Sequence, residues 1–208
     1  MKITISKIML FLSAALLAVG AQAADVKPPD QVVQEATAQI QKLLNDNHAK
    51  YKADNKLYYK VVNDVVVPHF DVPYIGRLVL GRNAKAATDA QRTRFQNAFK
   101  DMLIRSYANA LLDNYDSVKA DWKPLRMDPN ATDVIVNSAL LRDGKPPVPV
   151  GFAIHLVNND WKIYDITVEN ISLVINFRTQ INEEIKKNGL DSVISRMESG
   201  DYSAKPQS

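Results

Sequence analysis

Three histidines and no cysteine narrow the chemistry open to this chain of 208 residues. His48, His69 and His155 lie far apart, and none belongs to the i, i+4 pair that lets two imidazoles share a metal on one helix face. Without cysteine there is neither a disulfide nor a thiolate metal site, so stability rests on packing. His155 sits among small residues in "VPVGFAIHLV". An imidazole there could act as a general base at the mouth of a cup-shaped sheet, in an isomerase or hydrolase. The plainer reading is a half-exposed strand histidine. The acids beyond it, Asp160 and Asp165, form no dyad legible in sequence. There is no G-x-S-x-G elbow, no phosphate-cradling glycine loop and no carboxylate cluster. No catalytic residue, cofactor or metal site is expected.

Charge is the next candidate for function. The net charge is +3, which argues against a general polyanion binder. Its distribution is uneven, with seven basic residues against two acids from Arg77 to Arg105. Arg92 and Arg94 are the expected contacts if this segment docks anionic headgroups or an acidic partner; a solvated helix face is the alternative. Phe95, Phe99 and Tyr107 fall on an apolar stripe away from most of those charges, so nucleic acid is not an expected partner.

Periodicity supplies the scaffold around these residues. Lys2, Lys7, the apolar run Ile8–Val19 and Ala21-Gln22-Ala23 read as a cleavable export signal over residues 1–23, too short in its apolar part to span a bilayer. A single domain is expected over 24–208, helical over 30–116. Asp30 is expected to cap a helix to about His48, and a second helix to run over 55–67. A short helix comes next, with Asp71 as cap, Pro73 in the first turn and Gly81 at its end. Thr88 and Gln91 form a capping box for the longest helix, to about Tyr115. The period then changes to 2, predicting strands at 117–127, 132–142, 148–158 and 161–168, with turns at Asp143-Gly144 and Asn158-Asn159-Asp160. Helices return over 170–199. The expected class is α+β: helices on one face of a curved antiparallel four-stranded sheet, enclosing an apolar pocket.

Three stretches, "VVPHFDVPYIGRLVLG", "ATDAQRTRFQNAFKDMLIRSYANAL" and "WKIYDITVENISLVINFRTQINEEIKKNGLDSVISRM", resemble the MlaC family of periplasmic phospholipid-binding proteins, which also includes the toluene-tolerance proteins. The likeness covers about residues 31–199. One departure is Glu169-Asn170-Ile171-Ser172 where the family commonly has Glu-Gly-Val-Ser. Asn accepts a left-handed backbone, so the bend can survive. The resemblance implies a non-enzymatic carrier with bound phospholipid as cargo. It would work in the periplasm, within the maintenance-of-lipid-asymmetry pathway, as a monomer. Its implied partners are an outer-membrane lipoprotein–porin complex (MlaA-like) and an inner-membrane ABC transporter with an MlaD-like lipid-binding domain. Rival readings are a carrier of a hopanoid or quinone, a chaperone with an apolar groove, and the His155 enzyme.

The resemblance and the apolar pattern together nominate the residues that would line a cavity for acyl chains. They are Tyr74 and Leu78 on the short helix, Phe99, Leu103 and Tyr107 on the long one, and Phe152 and Ile154 on the third strand. Ile166 and Val168 come from the last strand, and Ile171 and Val174 from the start of the helix after it. Physical size constrains such a cavity. A rigid empty apolar void of roughly 500 Å³ would cost about 12 kcal/mol, which rivals the whole stability of a domain. The pocket is therefore expected to collapse when empty or to stay filled.

Overall fold

The structure, a computed structural model, describes residues 26–202. The expected export signal over 1–23 and its cleavage site lie outside these residues.

Two long helices and several short ones precede the sheet. Helix α1 (Pro29–Ala53) has Pro28 at its N-cap, with no side-chain cap. Asp30 therefore is not the cap; it lies in the first turn, where its charge meets the positive end of the helix dipole. The helix also continues past His48, whose ring stacks on Tyr115 at 4.7 Å. Asp54 breaks the chain and caps α2 (Asn55–Val65) by accepting from the Leu57 N–H. A 3₁₀ turn at Val67–His69 leads to α3 (Val72–Leu80), where the Asp71 side chain accepts from the Tyr74 N–H. Gly81 closes α3 with φ 55°, a backbone that favours glycine. A four-residue helix that periodicity does not predict, α4 (Asn83–Ala86), then precedes α5 (Asp89–Asp113), which opens with the expected Thr88–Gln91 capping box.

Five strands rather than four form one antiparallel sheet in the order β1-β2-β3-β4-β5. They are β1 (Val118–Trp122), β2 (Asp133–Arg142), β3 (Lys145–Val157), β4 (Asp160–Val168) and β5 (Ile171–Ser172). β1 is half the expected length. It stops where Pro124 interrupts the ladder, because proline has no N–H to donate. β5 takes the two residues expected to begin the next helix. Glu169 and Asn170 adopt φ 51° and 67°, so β4 folds back on itself through a two-residue hairpin. Ser172 then caps α6 (Leu173–Asn188), and Gly189 separates it from α7 (Leu190–Ser199).

Alternation along β3 holds as expected, with Val148, Val150 and Ile154 buried. In β4 the register shifts: Ala153 pairs with Asp165 and Ile154 with Ile163, leaving Tyr164 as the extra residue of a bulge. The bulge keeps both Ile163 and Ile166 in the sheet-side core despite their odd separation.

Apolar residues collect in three clusters. The largest joins α3, α5, α6 and α7 through Val79, Phe95, Phe99, Met102, Phe177 and Ile194. A second joins α1, α2 and α5 through Leu44, Tyr51, Tyr58 and Leu112. The third lies on the sheet, where Val136, Ile154, Trp161 and Ile163 meet Val33 from the start of α1.

The hairpin after β4 gives a direct test. Asn170→Gly should change stability by less than about 0.5 kcal/mol, whereas Asn170→Val should cost about 1–2 kcal/mol. Urea unfolding of the two variants measures the difference.

Candidate functional site

The helical layer meets the sheet mainly at β4, and two aspartates make the join. Asp71 donates its backbone N–H to the Ile163 carbonyl at 3.0 Å, beside a parallel bridge between Phe70 and Ile163. Its Oδ1 accepts from the Tyr74 N–H at 2.9 Å, and its Oδ2 lies 3.1 Å from His155 Nε2. The residue that starts α3 thus also grips β3 near its C-terminal end. Tyr74 covers this contact, its ring 4.7 Å from that of His155 and 5.4 Å from that of Tyr164. Burial and the adjacent Asp133 carboxylate, which accepts from the Tyr164 hydroxyl at 2.9 Å, push the Tyr164 phenol up to about 12.

Asp165 makes the second join. Its Oδ1 accepts from the Ile166 N–H at 2.8 Å and from the Val174 N–H at 3.0 Å, while Oδ2 accepts from the Ser172 hydroxyl. Val174 borders the helical cluster and Ile166 borders the sheet cluster. One carboxylate therefore marks the point where the two apolar clusters approach each other.

Five of the nominated residues border one of these two clusters. Leu103, Tyr107 and Val174 are half-buried at the edge of the helical cluster, and Phe152 and Ile166 at the edge of the sheet cluster. Tyr74, Leu78 and Val168 are also half-buried. Phe99 and Ile154 are different: both are fully inside, Phe99 packed between the Phe95 and Phe177 rings. Ile171 is different in the opposite sense, 47% exposed at the sheet margin. Burial alone pushes the Tyr107 phenol up, and no hydrogen bond to its hydroxyl occurs among the described residues.

Two clefts lie elsewhere among the described residues. One of about 350 Å³ opens between α2 and α5, lined by Tyr59, Asn63, Lys100 and Ile104 among others. Another of about 280 Å³ lies between α1, His69 and β4. Neither of these two runs between the helical and sheet clusters, where the apolar pocket is expected.

His155 does not stand free as a base. Its Nε2 faces Asp71, and its ring lies against those of Tyr74 and Tyr164. Asp160 pairs with Lys162. No group of three or more metal-ligating side chains occurs among the described residues. Arg92 and Arg94 are also occupied. Arg92 donates to the Ala84 carbonyl at 2.9 Å, donates to the Ala87 carbonyl, and pairs with Asp89, which closes the loop between α4 and α5. Arg94 grips Glu198 through Nε and Nη2 at 3.1 and 2.7 Å, joining α5 to α7. That contact holds the Glu198 carboxyl below the usual range. The roles of Asp71 and Asp165 as clasps are not legible in the sequence. Their partners His155 and Val174 are 84 and 9 residues away, and only the Asp71 cap leaves a local signal.

These features define an α+β domain organised about an apolar seam between helices and sheet, with its polar groups used as clasps. The chain belongs to the MlaC family, whose model, described as MlaC protein, matches residues 34–199. Among its relatives is the toluene tolerance protein ttg2D of Pseudomonas putida, 27% identical over 88% of this chain and 83% of that protein. Another is the intermembrane phospholipid transport system binding protein MlaC of Haemophilus influenzae, 25% identical over 92% and 90% of the two chains. A phospholipid-binding protein from Ralstonia solanacearum, solved in complex with a phospholipid, shares the fold with a TM-score of 0.72 and 26% identity. It covers 81% of this chain, which covers 98% of it.

Two measurements test the electrostatics. Asp54 only caps α2, whereas Asp71 also holds His155, so Asp71→Ala should destabilise more than Asp54→Ala, about 2–3 against about 1 kcal/mol in urea unfolding. Burial, aided by the nearby Lys162 ammonium group, pushes the His69 imidazole below its usual 6.5. The unfolded chain then takes up the proton first. Stability from this group is present above about 6.5 and lost as pH falls through the lower folded value. The melting temperature should therefore drop more between pH 7 and 5 in the native chain than in His69→Gln.

Proposed function

We propose that this chain is a periplasmic phospholipid carrier whose cargo tails lie in the seam between the helical and sheet clusters. In this reading it receives lipid from, or delivers it to, an outer-membrane lipoprotein–porin complex and an inner-membrane ABC transporter with a lipid-binding domain. The observation that carries the reading is the shared fold with a relative solved holding a phospholipid. The half-buried apolar residues on both sides of Asp165 support it.

The energetics favour a seam that opens for its cargo. Hydrocarbon burial contributes about 0.8 kcal/mol per methylene, so two tails represent on the order of 20 kcal/mol against water. A bilayer supplies the same gain, and exchange between carrier and membrane is then nearly balanced. An open dry void of matching size would cost a large share of the domain's stability. The empty seam is therefore closed, and cargo enters by parting Leu103, Tyr107 and Val174 from Phe152 and Ile166. The Tyr107 hydroxyl, at the edge of the helical cluster, is suited to the polar end of the cargo. The aspartates hold α3 and the start of α6 to β4 while side chains separate.

The His155 enzyme is not favoured, because His155 is clasped by Asp71 and stacked against Tyr74 and Tyr164 as part of the join between α3 and the sheet. Organic extraction of the purified protein followed by mass spectrometry tests the carrier reading. Phospholipid should be recovered, and stripped protein should melt at lower temperature, because a ligand that binds only the folded state stabilises it by mass action. Ile166→Glu should lower the lipid recovered with little change in far-ultraviolet circular dichroism; Tyr107→Phe, which keeps the ring but removes the hydroxyl, should fold and load less than the native chain. A folded native protein whose extract holds no phospholipid, or holds a hopanoid or quinone instead, overturns the reading.

A further inference from the structure

One surface of the molecule is left unexplained by the seam. On α6, Ile175, Arg178 and Asn182 fall at i, i+3 and i+7 and share a flank of the helix. Ile175 is 65% exposed, and Ile171, in β5 just before the helix, is 47% exposed. These are two large aliphatic side chains left exposed within four residues of each other in the chain. The flank abuts the end of α3: Asn182 donates to the Val79 carbonyl at 2.9 Å and accepts from the Asn83 amide at 2.6 Å. The Arg178 guanidinium lies against Gly81, so close that a Cβ there would sit 2.9 Å from its Nε.

Gly81 is flanked by further cations. Arg77, Arg82 and Lys85 are exposed, and so is Arg178. None of the four takes part in an ion pair among the described residues, and Arg77 instead lies over the Tyr74 ring at 5.3 Å. The contrast with Arg92 and Arg94, both bound to carboxylates, is direct. Two exposed acids lie on the neighbouring chain, Glu169 in the turn before Ile171 and Glu183 beside Asn182, and the patch retains a positive excess.

We infer that this patch, Ile171 and Ile175 ringed by Arg77, Arg82, Lys85 and Arg178, docks the protein on an anionic lipid surface. The charge pattern favours a bilayer over a protein partner. Four exposed cations with no ion-pair partner among the described residues match a surface of uniform negative charge. A bilayer needs no shape match. Each cation near an anionic surface strengthens attachment roughly fivefold, and an aliphatic tip adds by entering the headgroup boundary. Attachment of this kind is weak and reversible, as delivery of cargo requires. The patch borders the seam, since Ile171 and Ser172 lead directly into Val174. The inference deepens the carrier reading and rests on it only for the purpose of docking.

Flotation with lipid vesicles tests it, using the whole purified protein. Binding should be seen with vesicles containing phosphatidylglycerol, be absent with phosphatidylcholine alone, and weaken as salt rises. Ile175→Ser and Arg82→Glu should each weaken binding, the charge reversal by roughly tenfold or more. Both variants should retain native circular dichroism and the native amount of extractable phospholipid. Failure of the native protein to bind the anionic vesicles overturns the proposal, as does binding that ignores both substitutions. Binding seen only with an acidic protein surface also overturns it. Vesicle binding by a protein whose extract lacks phospholipid would leave the docking surface standing and remove the carrier reading, so the two failures are distinct.

Discussion

Two carboxylates hold this molecule together across its layers. Asp71 ties the start of α3 to β3 and β4, and Asp165 ties the start of α6 to β4. Each accepts from the first turn of a helix, where unpaired N–H groups need an acceptor. Each also reaches a group on the sheet, so one side chain satisfies both elements. Hydrogen bonds to an ionised acceptor are the stronger kind, which suits them to joining layers that share little continuous apolar packing.

That division of labour explains the form of the apolar interior. The helices complete their own clusters through α5, and the sheet completes its cluster through Val33 and Trp161. Val33 is the one fully buried residue that a helix lends to the sheet cluster. The border between them is lined by half-buried side chains such as Leu103, Phe152, Ile166 and Val174, which can exchange one apolar neighbour for another at little cost. A core with a single cluster would resist such separation, because close-packed interiors do not stretch gradually. Placement of the polar clasps beside the border allows it to part without loss of the fold.

The basic residues divide in a similar way. Arg92 and Arg94 serve the architecture, one closing a loop and the other joining two helices. Arg77, Arg82, Lys85 and Arg178 carry no such duty. Local charge density on the chain does not separate the two groups, since Arg92 and Arg82 lie in the same basic segment. Only the position of Asp89, Glu198 and Asp191 around the folded helices does so.

Much of the fold was legible in the sequence for local reasons. The Asp71 and Thr88 caps, the Gly81 and Gly189 stops, and the alternation of β3 each depend on a few neighbouring residues. The family likeness was legible from motifs spread over nearly the whole matched region. Less legible were the short elements. Asn83–Ala86 is too brief to show a period, and β5 exists because a left-handed Glu169-Asn170 turn returns the chain to β4. The bulge at Tyr164 lies inside a stretch read as a plain strand, because a register shift depends on pairing with β3. Among the nominated residues, hydrophobic type could not separate Phe99, deep in a cluster, from Ile171, on the surface, because both satisfy the same periodic pattern. The elements, their apolar faces and the family could be read before any coordinates, since they depend on residues close in the chain. Folding alone settled which histidine is clasped, which arginines are left unpaired by acids and where two clusters meet. Those outcomes are contacts between distant residues, and no local pattern encodes a distance in space.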